Sequence, residues 1–223
     1  MEQHIKNVTE YDLWATKIMQ IRFNVGKEFN DRISAFALEQ LGRLGRLTPE
    51  NHNIWDWGGP DFEQLKKMFL YSYTRYAKAH GKDMDFTGPE NEKYIQDAWC
   101  QIYMNGTYGN IHAHQLGDFT AVYYSSAGVS NDGSGYVQLS DPRWMPDEFL
   151  YAEDFDSQHC VYPEDGTMLI FPGYVWHLVP PYTGTFPRIC FAGMFEWAIF
   201  NRVAMNERKM LERAGRAPLT SRQ

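Results

Sequence analysis

The sequence predicts a mainly β domain flanked by α-helices, and two observations carry that reading. From Trp99 onward short apolar or alternating runs follow one another: Trp99–Met104, Phe119–Ser125, Tyr136–Leu139, Thr167–Phe171, Tyr174–Val179 and Arg188–Trp197. Turn signals such as Asn105-Gly106, Asp165-Gly166, Pro172-Gly173 and Thr183-Gly184 separate them, the punctuation of an antiparallel sandwich or barrel. Before Trp99 the apolar spacing is instead that of helices. A length of 223 residues suits one domain better than two.

Taken in order, residues 13–25 read as a strand-like lead-in. Lys27–Leu41 then places Phe29, Ile33, Phe36, Ala37 and Leu41 at helical spacing, with Gly42 and Gly45 to end the helix. An irregular stretch with Trp55 and Trp57 leads to a second helix that begins near Asp61 and stops at His80-Gly81. Its apolar face is Phe62, Leu65, Met68, Phe69, Tyr73 and Tyr76. Lys82–Glu92 is polar and loop-like, and residues 198–214 read as a helix followed by a loose polar tail. The expected organisation is one domain over 1–223, with support in 1–98, a β core in 99–197, and a C-terminal helix and tail in 198–223.

Composition narrows the function. With 43% hydrophobic and 22% charged residues the chain is an ordinary globular protein, not a disordered, coiled-coil or collagen-like one. A formal charge of -7 argues against an electrostatic nucleic-acid surface and for small-molecule partners. Three cysteines without a CxxC suggest neither a disulfide framework nor a zinc ribbon, and point to a reducing, cytoplasmic compartment. No window approaches the ~20 uninterrupted apolar residues of a membrane span. Oligomeric state stays open, with a homodimer as one candidate.

The sharpest local feature is Ile111-His112-Ala113-His114. Side chains two apart on a strand share a face, so two imidazoles there could hold one metal. His177 supplies a third imidazole from a separate strand, and three ligands would leave open positions for substrate or oxygen. A lone HxH is weak evidence, since a strand histidine is more often a satisfied surface or core residue; His177 and Arg188 strengthen it. Arg188 could serve as a fork for a carboxylate, or merely as an edge-strand charge that limits aggregation.

The order of these pieces resembles the iron(II) and 2-oxoglutarate dependent oxygenases, in particular a bacterial and phage subgroup. The resemblance rests on Trp99, Gly106, Tyr108, His112, His114, the strand Ala121-Val122-Tyr123-Tyr124, Asp141-Pro142-Arg143, Phe171-Pro172, His177, Val179, Pro181, Arg188 and Ile189, and covers about residues 13–195. It implies a double-stranded β-helix, the cupin-like jelly roll. It also implies an enzyme that couples oxidative decarboxylation of 2-oxoglutarate to oxidation, most simply hydroxylation, of a small-molecule or amino-acid-like substrate with O2. Carried over, it implies iron ligands at His112 and His177 and a salt bridge from Arg188 to the distal carboxylate of 2-oxoglutarate. The superfamily usually has a carboxylate where this chain has His114, so His114 is the expected second ligand by strand parity, with Asp118 as the alternate. Tyr103, Tyr124 and Gln101 are candidates to bond the co-substrate.

Two other readings stay open: a cupin-like three-His dioxygenase or isomerase that does not use 2-oxoglutarate, and a metal-free jelly-roll binding domain. Weaker features are His159 and Cys160, read as surface residues of an acidic loop, and the aromatic set Trp144, Phe149, Tyr151, Phe155 and Tyr162, a lid or simply filler under a long loop.

Overall fold

The computed structural model describes residues 15–47, 52–95, 97–114, 117–130, 132–142 and 158–197. The expected helix over 198–214 lies outside the described residues, as do Trp144, Phe149, Tyr151 and Phe155 of the aromatic set.

Among the described residues nine strands form two antiparallel sheets. In chain order they are β1 (Met19–Arg22), β2 (Ala98–Tyr103), β3 (Gly109–His112), β4 (Phe119–Ser126), β5 (Val137–Ser140), β6 (Gln158–Val161), β7 (Thr167–Pro172), β8 (His177–Val179) and β9 (Arg188–Phe195). The larger sheet runs β1-β7-β4-β9-β2 and the smaller β3-β8-β5-β6. This is the mainly β, jelly-roll architecture expected from the turn spacing. Two helices accompany it, α1 (Lys27–Leu44) and α2 (Gly59–Ala79).

Helix α1 runs three residues past the expected stop. Gly45, not Gly42, takes the positive φ of 73° that ends a helix, and its N–H closes on the Leu41 carbonyl at 2.8 Å. Helix α2 carries Pro60 in its first turn and Asp61 beside it, where the Arg32 guanidinium bonds both carboxylate oxygens at 2.7 and 2.9 Å. Its apolar face is the one the spacing predicts, and Phe62, Leu65, Phe69, Tyr73 and Tyr76 are all buried.

Period-two alternation divides the large sheet between two cores. Ala98, Cys100, Ala121, Tyr123, Met168, Ile170, Ile189, Phe191 and Phe195 join the helices in one cluster. Tyr103, Tyr124, Leu169, Phe171 and Cys190 lie in the second, with Val137, Leu139 and Val179 of the small sheet. Gly193 lets α2 come close: a Cβ there would stand 2.9 Å from the Phe69 ring, and Tyr73 Oη donates to the Gly193 carbonyl at 2.7 Å.

Two expectations need correction. His159 and Cys160 are exposed, as read, but sit on β6 rather than in a loop; that strand was illegible because Gln158, His159 and Cys160 are all exposed and leave no alternation. The run Tyr174–Val179 is a strand only from His177, because Val175 N–H turns back to the Pro172 carbonyl at 3.0 Å. In addition, Pro89–Tyr94 forms a 3-10 turn within the loop-like stretch.

Candidate metal centre and co-substrate pocket

Antiparallel pairing of β3 with β8 sets His112 directly opposite His177, with ring centroids 4.2 Å apart. Both rings are oriented from behind. His112 Nδ1 lies 2.7 Å from the Asn110 carbonyl and His177 Nδ1 lies 3.0 Å from that of Val175. A carbonyl only accepts, so each Nδ1 carries the proton and each Nε2 keeps its lone pair for a ligand role.

His114 joins them by a different route from the one strand parity predicts. The strand ends at His112, and His114 lies in the following turn, where its N–H donates to the Gly173 carbonyl at 2.8 Å and its own carbonyl accepts from Gly117 N–H at 3.0 Å. Its ring is 5.0 Å from that of His112 and 5.1 Å from that of His177. One nitrogen from each imidazole lies within 4.8 Å of the others, a spacing that a single ion could bridge. Burial, then the neighbouring His177 and His112, push His114 down to about 3; burial, opposed by its bond to Val175, pushes His177 down to about 4. Both are therefore neutral at physiological pH, the form that ligates a cation.

Asp118 stands outside this trio. Its backbone N–H bonds to Phe195 O at 2.7 Å, its carbonyl accepts from Gly173 N–H at 3.1 Å, and its charge bears on Glu196.

Arg188 opens β9 opposite Tyr103 and is 1% exposed, which rules out the edge-charge role. Its guanidinium carbon lies 4.7 Å from the Tyr103 ring centre and 5.1 Å from that of Tyr124, so the cation is held between two π faces. Nε donates to the Gly135 carbonyl at 2.8 Å, while Nη1 is buried with no hydrogen-bond partner among the described residues. An orphaned donor on a buried cation is costly unless an anion meets it. Burial raises the Tyr103 and Tyr124 hydroxyls, so both remain protonated, and Tyr103 Oη donates to Gln101 Oε1 at 2.9 Å. These four side chains and all three imidazoles line one pocket, floored by Phe171 and Val122. Its donors suit a small dicarboxylate: a cationic end at Arg188 for one carboxylate and a metal-binding end at the histidines for the other.

Sequence reasoning missed the backbone groups that hold this site. Gly135, in the Gly133-Ser134-Gly135 turn at φ 94°, offers its carbonyl to Arg188, and Gly173 holds His114. A Cβ on Gly173 would fall 2.1 Å from the Gly117 carbonyl oxygen and 2.5 Å from that of His114. The Pro172-Gly173 turn was visible as a signal for chain reversal; its close approach to a segment nearly sixty residues earlier was not.

A jelly roll that gathers three imidazoles and a buried arginine in one pocket is the arrangement expected of an iron(II)/2-oxoglutarate-dependent oxygenase with His114 in place of the usual carboxylate. Residues 97–193, the stretch that holds every residue of the pocket, match the model of the family described as "Putative 2OG-Fe(II) oxygenase". The protein is thus a 2-oxoglutarate/Fe(II)-dependent dioxygenase.

No curated protein matches the sequence. Among solved structures, the chain is similar to a Pseudomonas putida prolyl-4-hydroxylase (17% identity, 83% of this chain and 90% of that one, TM-score 0.52). It is also similar to the α-ketoglutarate-dependent carbocyclase SnoK of nogalamycin biosynthesis (10% identity, 81% and 79% covered, TM-score 0.55). HygX of Streptomyces hygroscopicus, with nickel and 2-oxoglutarate bound, is 13% identical over 80% and 81% with a TM-score of 0.51. These likenesses show a shared fold. Among the described residues no helix is long and apolar enough to cross a membrane.

Proposed function

We propose that His112, His114 and His177 are the iron ligands, that Arg188 binds the distal carboxylate of 2-oxoglutarate between Tyr103 and Tyr124, and that the enzyme hydroxylates an unactivated carbon of a small molecule. The observation that carries this reading is the orphaned Arg188 Nη1, buried in the same pocket as the three imidazoles. When bound, iron(II) and 2-oxoglutarate supply the oxidising power that couples decarboxylation to succinate with transfer of one atom of O2 to a C–H bond.

The chain's own part is positional. Asn110 and Val175 carbonyls keep the Nε2 atoms of His112 and His177 free, and Arg188, fixed by Gly135, neutralises and orients the dicarboxylate. Val122, Phe171 and Val179 line the pocket with apolar surface that limits water. The cupin-like alternative leaves Arg188 without a partner, and a metal-free binding domain leaves three imidazoles converging for no purpose.

The second ligand is His114 rather than Asp118, a choice supported by the cluster of three imidazole nitrogens and by the Asp118 charge bearing on Glu196. Helices and site share the two faces of one sheet, which supports reading 1–223 as one domain. Three free thiols and the charge of -7 support a cytoplasmic enzyme of small molecules rather than nucleic acids.

Anaerobic addition of iron(II) and 2-oxoglutarate should give a weak visible charge-transfer band. His177→Ala should abolish it, and His114→Ala should weaken iron binding strongly while Asp118→Ala does not. A band that survives His177→Ala would overturn the ligand assignment; the reverse ranking of His114 and Asp118 would replace the three-His site by two imidazoles and a carboxylate.

A further inference from the structure

We propose that the oxidised substrate binds in a second cleft, across the His112 and His114 rings from Arg188, and that it carries a cationic amine or guanidine group received by Asp97. This deepens the proposed function and rests on its reading of the imidazoles as the metal centre.

The cleft is a cavity of about 330 Å³ that shares His112 and His114 with the metal centre and includes none of Arg188, Tyr103 or Tyr124. Two cavities therefore meet at the same pair of rings. One carries the buried arginine that suits the co-substrate, and a molecule in the other would lie beside the same metal without displacing it. The volume is at the small end of the roughly 300–1,000 Å³ that ligand sites span.

The walls give the chemistry. Trp99, Ala98 and Met194 provide apolar surface, the Trp99 ring lying 5.4 Å from that of His114. Two polar residues on the wall are already committed to the protein. His52 Nε2 accepts the Cys100 N–H at 2.9 Å, which fixes that nitrogen as unprotonated, and Asn53 Oδ1 accepts from Trp55 N–H at 3.1 Å. Asp97 is different: it is exposed at the rim, and among the described residues its hydrogen bond is through its backbone carbonyl, from Met194 N–H at 3.0 Å.

Among the described residues no lysine or arginine lines the cleft. Burial, then the charges of Asp97 and Asp118, raise the Glu196 carboxyl, so three acids act on one another at that end and the field there is negative. A hydrocarbon segment against Trp99 and Met194 with an ammonium or guanidinium at Asp97 satisfies every wall. A carboxylate or phosphate there would face like charge with no donor cation to offset it.

Proton relaxation by Mn(II) tests this without knowledge of the natural substrate. The protein is loaded with Mn(II) and 2-oxoglutarate, and three probes of equal length, butylamine, butanol and butyrate, are compared. A solvent-facing ion pair should make the metal-dependent relaxation of butylamine about two- to fivefold that of butanol, with butyrate weakest. Asp97→Asn should remove the advantage of butylamine, and Asp97→Lys should transfer it to butyrate. Equal relaxation of the three probes on the parent protein, or butyrate strongest, would overturn the cationic-substrate proposal while leaving the metal and co-substrate reading intact. Mn(II) binding that persists unchanged in a His112→Ala, His114→Ala double variant would sink that reading, and this proposal with it.

Discussion

Along β9, Ile189, Phe191 and Phe195 face the helices, whereas Arg188 and Cys190 on the same strand face the small sheet. The two sides handle their polar groups in opposite ways. Toward the helices every buried tyrosine hydroxyl closes on the protein: Tyr73 on Gly193, Tyr76 on Lys17 at 2.6 Å and Tyr123 on Asn30. Toward the small sheet, Arg188 keeps an orphaned donor and three imidazoles lie with nitrogens converging. On the helix side the orphaned group is a single neutral hydroxyl, Ser72 Oγ, and that face supplies stability; the other leaves a buried cation and converging imidazoles unsatisfied, and that chemistry carries the function.

Phe191→Ala should show the stabilising side most strongly. The ring is fully buried, 6.1 Å from Phe62 and 6.5 Å from Trp57, and its loss should cost about 3–5 kcal/mol in urea unfolding. Metal and 2-oxoglutarate affinity of the folded fraction should not change; a loss of co-substrate affinity comparable to the loss of stability would break the division between the faces.

Arg188→Ala is the counterpart. Truncating one member of a buried charged pair typically costs about 2–5 kcal/mol, so the apparent constant for 2-oxoglutarate should rise roughly 30-fold or more, with iron affinity in its absence little altered. Arg188→Lys should recover part of the loss, since it keeps the charge without the planar fork. An unchanged rate of succinate formation would remove 2-oxoglutarate from the account.

Gly173→Ala probes how the two halves of the site are joined. The added methyl would strike two backbone carbonyls of the His114 turn and displace that ring. Metal affinity should fall about 10- to 100-fold, the range for losing a group that orients a ligand, with a smaller effect on the 2-oxoglutarate constant at saturating metal. Equal affinity in calorimetric titration would show that the turn does not position His114.

The smallest effect should be on pH. His114 and His177 are held at about 3 and about 4, below the unfolded value of about 6.5. The unfolded chain therefore binds more protons as pH falls, so the metal-free protein has its full stability from these groups above about pH 6.5 and loses it progressively down toward pH 4. Urea midpoints between pH 7.5 and 5 should decline, and the decline should flatten in His114→Gln. A slope unaffected by that change would place the titration elsewhere.

Much of this was legible in the chain. The faces of α1 and α2 follow from spacing of three and four, and six of the nine strands from alternation and turn signals, because both patterns are set by near neighbours. His112, His114, His177 and Arg188 were recognisable by order and residue type. The tertiary structure alone decided what depends on distant partners. It paired β6 with β5 although three of its four residues are exposed, and ended β3 at His112 so that His114 reaches the site through Gly173. It also set Arg188 between two tyrosines from different strands and left Asp97 at the rim of a second cleft. Local periodicity specifies which face a side chain takes; what it meets there is fixed by the packing of segments far apart in the chain, which no local pattern encodes.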